Sequence, residues 1–495
     1  MSTRFACLPE LLRCMAQEAQ IRSRKQLATL CRVNKTFYAA IAPLLLIDVD
    51  FVDTNVPWSE SPLRAFAVSG HLRHVRSLTL RSIRGQDDEL VRNMLLQMPL
   101  LQKFSWIDSP LSVTILAALH ASCPNVASIH VQFPYYMGQN VLGYMFDDEP
   151  PSAEELQARQ IFGRPDLTVF APNLLELTLH DLYEEFPWWK SHLIEVFRKA
   201  PGLRKLELSL SVSTISTYSL NDEREHFDDF FDELCNAYGE TGSPPLSLHS
   251  LKLGKAMYPT NLAALQKLAK LESLREVYLD NSGVYDNVDI ILMDPEGSGV
   301  IFDAFNPTHC PNLRRISADD WEVYQFLASV DDHAWMRQLA VSCRNTDMEN
   351  PPLYLRMLNL DLEADEKSLS ASEVLDQLVA ADADCGSLEG LAVRLRHEGE
   401  DPSAFDETLD LLAAALSKLT GVTQVAVIYC EGSAKAAALK LAKAAPHLRY
   451  IRVFQDYWKI WRDGHDEVNG NIRLEKLEDR EITDVELFHE EIWDP

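Results

Sequence analysis

An α/β fold, in which a small module of three helices precedes a long irregular array of strand-and-helix units, is predicted by three features of this 495-residue chain. An apolar triplet, spaced as apolar, two residues, apolar, one residue, apolar, recurs thirteen times between Val75 and Val453. Five of these triplets follow a small or sulfur-bearing residue and a proline. Amphipathic helical stripes lie between several of them, so strand and helix alternate as the repeating unit. Such a unit cannot bury its apolar face alone; stacking neighbours produces a solenoid with parallel strands on the concave side and helices on the convex side.

The N-terminal module spans residues 1–50. Pro9 suits a first helical position, where no amide donor is needed, and Leu8, Leu11, Leu12 and Met15 share one face. After a polar stretch, Leu27, Leu30, Cys31, Phe37, Tyr38 and Ile41 form a second stripe, which Pro43 is expected to stop. About 40 residues are too few to bury a sufficient core alone, so the module needs a neighbour or a partner to cover its apolar surface. A linker is expected over 51–70, and the repeats over 71–470.

In order, the triplets are Val75-Leu78-Leu80, Leu101-Phe104-Trp106, Val126-Ile129-Val131, Leu174-Leu177-Leu179, Leu203-Leu206-Leu208, Leu248-Leu251-Leu253 and Leu274-Val277-Leu279. They continue as Leu313-Ile316-Ala318, Met336-Leu339-Val341, Leu355-Leu358-Leu360, Leu388-Leu391-Val393, Val422-Val425-Val427 and Leu448-Ile451-Val453. Proline turns at Cys123-Pro124-Asn125, Ala171-Pro172-Asn173, Ala200-Pro201-Gly202, Cys310-Pro311-Asn312 and Ala445-Pro446-His447 end one helix and lead into the next strand. The helices are expected over Val91 to Met98, Ile115 to Ala121, Leu193 to Ala200, Leu262 to Leu271, Leu409 to Leu419 and Ala437 to Ala444. Wide intervals mark insertions near 134–166, 211–245 and 281–305, the first two acidic, and repeat insertions usually emerge on one rim.

Apolar residues make up 46% of the chain, which supports a large buried core. The formal charge of -28 opposes phosphate backbones and anionic membranes, so nucleic-acid and membrane partners are not expected. Nine cysteines are scattered without a C-x-x-C pair, which argues for buried free thiols and against a disulfide framework or zinc site. With no secretory signal pattern and no run of 18 apolar residues, a cytoplasmic or nuclear location is expected.

Paired carboxylates such as Asp319-Asp320 and Asp331-Asp332 lack any partner motif, and the sequence holds no nucleophile elbow, phosphate loop or zinc-protease motif. Neither enzymatic activity nor a metal or cofactor is expected. Arg462 to Glu467 reads as a solvated turn, and Asn34-Lys35-Thr36 as a sequon without use inside a cell. Tyr450, Arg452, Phe454 and Trp458, close to Tyr457 and Trp461, are candidates for target binding, because aromatic and Arg side chains dominate protein interfaces. The same group could cap the last repeat. Residues 471–495 read as an acidic tail.

Leu8-Pro9-Glu10-Leu11-Leu12, followed by Leu27, Leu30, Cys31, Val33-Asn34 and Phe37 and by Ala42-Pro43-Leu44-Leu45, resembles an F-box of the fungal kind. The array resembles leucine-rich repeats of the cysteine-containing or ribonuclease-inhibitor type, with Cys310-Pro311-Asn312-Leu313-Arg314-Arg315-Ile316 standing for C-x-x-L-x-x-L. These resemblances imply a substrate receptor of a Skp-cullin-F-box ubiquitin ligase. Leu8, Pro9, Leu11, Leu12, Met15, Leu27, Leu30, Cys31, Val33 and Phe37 would bind the Skp-family adaptor of a cullin-RING ligase, and the repeat surface a target protein. The competing expectation is a ligase-independent scaffold whose first helices merely cap the array.

Overall fold

The computed structural model describes residues 24–52, 62–83, 87–109, 111–133, 165–182, 186–210, 230–254, 261–280, 305–318, 339–343, 357–363, 388–396, 402–427, 433–454, 456–463 and 471–477, with a few isolated positions between them. They fall into two compact units, one made chiefly of residues 1–270 and the other chiefly of 301–495 with 271–282.

Among the described residues the first unit opens with α1 (Arg24–Cys31) and α2 (Lys35–Leu45); the first of the three expected helices, around Leu8 to Met15, lies outside them. The break between α1 and α2 has a local cause that the apolar stripe did not reveal. Asn34 Oδ1 accepts from the amides of Thr36 and Phe37 at 2.9 and 3.0 Å, so the sequon asparagine is the N-cap of α2. Pro43 does not stop the helix as expected: α2 runs through it to Leu45. A proline two residues from the end removes one amide donor from the last turn, where the ladder is about to finish anyway.

Seven parallel strands follow: β1 (Asp48–Val52), β2 (Ser77–Arg81), β3 (Lys103–Ile107), β4 (Ser128–Gln132), β5 (Glu176–Leu182), β6 (Lys205–Leu210) and β7 (Ser250–Gly254). Each pairs with the next in chain order. Helices α3 (Pro62–Ala67), α4 (Asp88–Leu95), α5 (Val113–Ser122), α6 (Phe186–Lys199), α7 (Phe230–Glu240) and α8 (Leu262–Leu268) occupy the intervals. Two expectations are corrected here. The stretch read as a linker, 51–70, contains the end of β1 and all of α3. The second acidic insertion, 211–245, carries α7, a repeat helix whose Phe230, Phe231, Leu234 and Cys235 are buried.

The second unit contains β8 (Glu276–Asp280), β9 (Arg315–Ala318), β10 (Ala340–Cys343), β11 (Met357–Glu363), β12 (Gly390–Arg396), α9 (Pro402–Lys418), β13 (Gln424–Val427), α10 (Ala434–Ala444) and β14 (Tyr450–Val453). Consecutive strands from β8 to β14 are again parallel. Two antiparallel strands, β15 (Asp456–Asp463) and β16 (Asn471–Lys476), close the sheet, so structure continues past the expected end of the repeats at 470.

Within each unit the middle residues of the triplets are aligned across paired strands, as Leu78 with Phe104 and Ile129 in the first and Val425 with Ile451 in the second, and are buried. One triplet slips. Val341, not Leu339, pairs with Ile316 and Leu358, so Met336-Leu339-Val341 lies one slot upstream of its expected place. The amide of Leu339 bonds to Met336 O, the closure that Leu313 makes with Cys310.

That closure recurs as a tight turn ahead of the strands: Val75 to Leu72, Leu101 to Met98, Val126 to Cys123, Leu174 to Ala171, Leu203 to Ala200, Val422 to Leu419 and Leu448 to Ala445. Three turns carry an asparagine whose Nδ2 reaches back one repeat, Asn125 to Pro99 O, Asn173 to Pro124 O and Asn312 to Glu272 O, at 3.1, 3.2 and 2.8 Å. These asparagines form a ladder that satisfies carbonyls the turns would otherwise leave to water. Burial pushes the thiols of Cys123 and Cys310, which open two of these turns, up to about 12.

Candidate functional site

Residues between the apolar positions of a strand must point away from the helices. In the first unit the register sets them in rows across the sheet. One row runs Ser77, Lys103, Ser128, Glu176, Lys205, Ser250, and the next runs Asp50, Thr79, Ser105, His130, Thr178, Glu207, Lys252. Small hydroxyl side chains are interspersed with charged ones. Lys103 Nζ meets Glu176 Oε2 at 3.5 Å over the intervening Ser128.

Glu207 organises this face. His180 Nε2 lies 2.9 Å from its Oε1, and the Lys205 and Lys252 ammoniums lie 3.8 and 3.9 Å from its Oε2. Burial alone would raise its carboxyl, but the His180 hydrogen bond and the two lysines outweigh that and hold it at about 2. The His180 ring stands edge-on to His130, with centroids 5.2 Å apart. Burial, followed by His180, holds the His130 imidazole at about 4, against the weaker pull of Glu207; Arg81 and Lys205 depress it further. Its Nε2 is buried without a hydrogen-bond partner. At one end of the face, Asp108 and Asp181 turn the chain with φ of 54° and 58°. Gln132 Nε2 donates to Asp181 Oδ2 at 3.0 Å, and the Asp181 amide donates to Ser209 Oγ. Burial and the nearby Asp181 carboxylate raise Asp108, and Arg81 opposes them.

This arrangement makes folding depend on pH. Between about 6.5 and 4 an unfolded imidazole takes up a proton that folded His130 refuses, so stability falls as pH falls through that window. Glu207 acts lower down: its contribution is complete above about 4.5 and is lost as pH falls toward 2. Each group accounts for at most about 3.5 kcal/mol at roughly 1.4 kcal/mol per pH unit. Urea midpoints measured from pH 7.5 to 4 should decline, and His130→Gln should flatten that slope; an unchanged slope would show that the histidine does not carry it.

Of the residues expected to bind an adaptor, Leu8, Pro9, Leu11, Leu12 and Met15 lie outside the described residues. Leu30, Cys31 and Phe37 pack, half-buried, against the core of Leu27, Ala40 and Ile41. Val33, in the turn between α1 and α2, stands 57% exposed. Burial raises the Cys31 thiol.

The C-terminal group divides. Trp458 and Tyr457 are buried, and Arg452 is buried over the Tyr457 ring at 5.0 Å, with Nε donating to Phe454 O at 2.9 Å. Tyr450 is half-buried. Arg462 belongs to β15 and not to a solvated turn. Its guanidinium donates to Leu448 O, Ala442 O and Ala445 O at 2.6, 2.9 and 3.0 Å, tying the end of α10 and the turn after it to β15. Phe454 and Trp461 remain exposed, with Lys459 Nζ 4.4 Å above the Trp461 ring. Most of the group is therefore buried or half-buried, and Phe454 is the exposed member of the expected quartet.

The strand-face residues from Ser77 to Lys252 were not singled out in the sequence. Their outward placement follows from the triplets, but Glu207 and His180 stand 27 positions apart, and only the strand register brings them together. Among the described residues no group of three or more His, Cys, Asp or Glu is placed to hold a metal ion, and no helix is long and apolar enough to cross a membrane.

No family model matches the chain, and no curated protein matches it. Among solved structures, it is similar to a chain from the crystal structure of the Rad7 and Elc1 complex in yeast, with a TM-score of 0.40 and 13% identity, over 92% of this chain and 94% of that one.

Proposed function

We propose that this chain is a non-catalytic receptor that holds a target protein on the outward face of its strands while residues 1–50 engage the Skp-family adaptor of a cullin-RING ligase. The reading rests above all on the aligned rows of polar side chains that face away from the helices, a broad surface of the kind on which stacked repeats bind other proteins. The mechanism is tethering: one end holds the ligase, the other the target, and the target's lysines gain effective concentration near the charged conjugating enzyme. No covalent step belongs to this chain, and the setting is cytoplasmic or nuclear.

The test is capture of a recombinant Skp-family adaptor by the full chain. Val33→Asp changes an exposed turn and spares the core, so it should abolish capture without shifting the melting temperature; Leu11→Asp and Leu30→Asp should abolish it too. A wild-type chain that captures no adaptor would favour the second reading, a scaffold capped by its first helices. That reading is favoured by the direct run of α2 into β1, whose Val49 aligns with Leu78 as an ordinary member of the sheet.

A further inference from the structure

In the second unit the outward positions are closed to solvent. The register sets Ala392, Ala426, Arg452 and Tyr457 side by side across β12 to β15. Ala392 and Ala426 lie between apolar triplet residues and so point away from the helices, yet both are 0% exposed, and Arg452 beside them is 8% exposed. The Arg452 guanidinium lies over the Tyr457 ring, and its Nε donates to Phe454 O. Its Nη1 is buried without a hydrogen-bond partner. A cation withdrawn from water with donors unsatisfied is costly, and a carboxylate is the group that best offsets that cost.

The described part of the chain ends beside this same row. Leu477, just past β16, is 6% exposed, and its amide donates to Tyr457 O at 2.8 Å. After it come the eighteen residues 478–495, which carry eight carboxylates against one arginine and include Ile482, Val485, Phe488 and Ile492. Leu477 and Arg452 are two strand spacings apart, about 10 Å. A segment of this length, extended at about 3.3 Å per residue, reaches roughly 60 Å and spans the row with length to spare.

We propose that residues 478–495 fold back over the outward face of β12 to β14 as a cover within the chain. A carboxylate of Glu478, Asp479 or Glu481, the three nearest along the chain, pairs with Arg452, and the apolar residues that follow pack on Ala426 and Ala392. Three observations favour this occupant over a separate protein. The row is closed to solvent within a single chain, the segment starts at the row's own end, and its charge is opposite to that of the buried cation. The proposal rests on neither adaptor binding nor target binding.

The experiment is hydrogen–deuterium exchange of the full chain, read by mass spectrometry. Amides of 482–492 should exchange at least tenfold more slowly than in a free peptide of the same sequence. Arg452→Gln should bring them to within about twofold of the free rate while β12 and β13 stay protected. A triple variant, Glu478→Gln with Asp479→Asn and Glu481→Gln, should release the segment equally, and it alters no side chain of the sheet. A benzophenone amino acid in place of Phe488 should crosslink, within one chain, to residues of β12, β13 or β14. Free-peptide exchange rates in the wild type, or retained protection in either folded variant, would overturn the proposal. So would crosslinks that fall on a second molecule or on α9 and α10. Should Arg452→Gln fail to fold, the triple variant and the crosslinks decide alone.

Discussion

Trp106→Ala is expected to lower the stability of the first unit by about 3 to 5 kcal/mol, the range for emptying a buried tryptophan site. Trp106 is fully buried in β3, its ring stacked 6.1 Å from that of Phe104. Its Nε1 donates to the Ser109 carbonyl at 2.9 Å, next to the turn that carries Asp108. The substitution therefore leaves both a cavity and a carbonyl without its donor. Trp106→Phe separates the two effects: it keeps most of the volume and loses the hydrogen bond, for about 1 kcal/mol plus a small cavity term. Urea unfolding followed by circular dichroism measures both. Because stacked repeats are stabilised by their neighbours, β2 and β4 should lose amide protection together with β3. Loss confined to β3, or a Trp106→Ala midpoint equal to wild type, would contradict the stacked arrangement.

Ile41→Asp is expected to dismantle the helical module. Ile41 is buried in α2 at the centre of the core it forms with Leu27 and Ala40, against which Leu30, Phe37, Leu44 and Leu45 pack. A carboxylate placed there has no counter-charge within this apolar cluster; the lost methyl groups and the desolvated charge together remove several kcal/mol. Two short helices have little margin against such a loss. Amide exchange at Ala40 to Ala42 should become unprotected, while protection at β3 to β6 persists. Persistent protection at Ala40 to Ala42 would show that the module is held by contacts outside this core.

Much of this architecture was legible because apolar spacing reports which side of a strand or helix is buried. The triplets beginning with Val75-Leu78-Leu80 coincide with strands, and the stripes from Val91 and Leu409 with helices, since a sheet covered by helices on one face leaves no other arrangement of those side chains. The slip at Met336-Leu339-Val341 shows the limit: two registers bury equally apolar residues, and hydrogen bonds to β9 and β11 choose between them. The same holds for Asn34 and Asn125, whose side chains serve backbone partners that polarity alone does not identify.

The sequence by itself determined that this chain alternates strand and helix, that the strand positions between its apolar triplet residues are mostly polar from β1 to β7, and that helical stripes precede the first strand. Tertiary structure decided which of those outward residues meet. Glu207 gathers His180, Lys205 and Lys252 from three strands, and Arg462 spends its charge on helix carbonyls where a solvated turn was expected. The reason is geometric: periodicity acts within one element and is carried by adjacent residues, whereas charge pairing acts across strands, between positions whose separation in sequence is set by loops that leave no mark on the pattern.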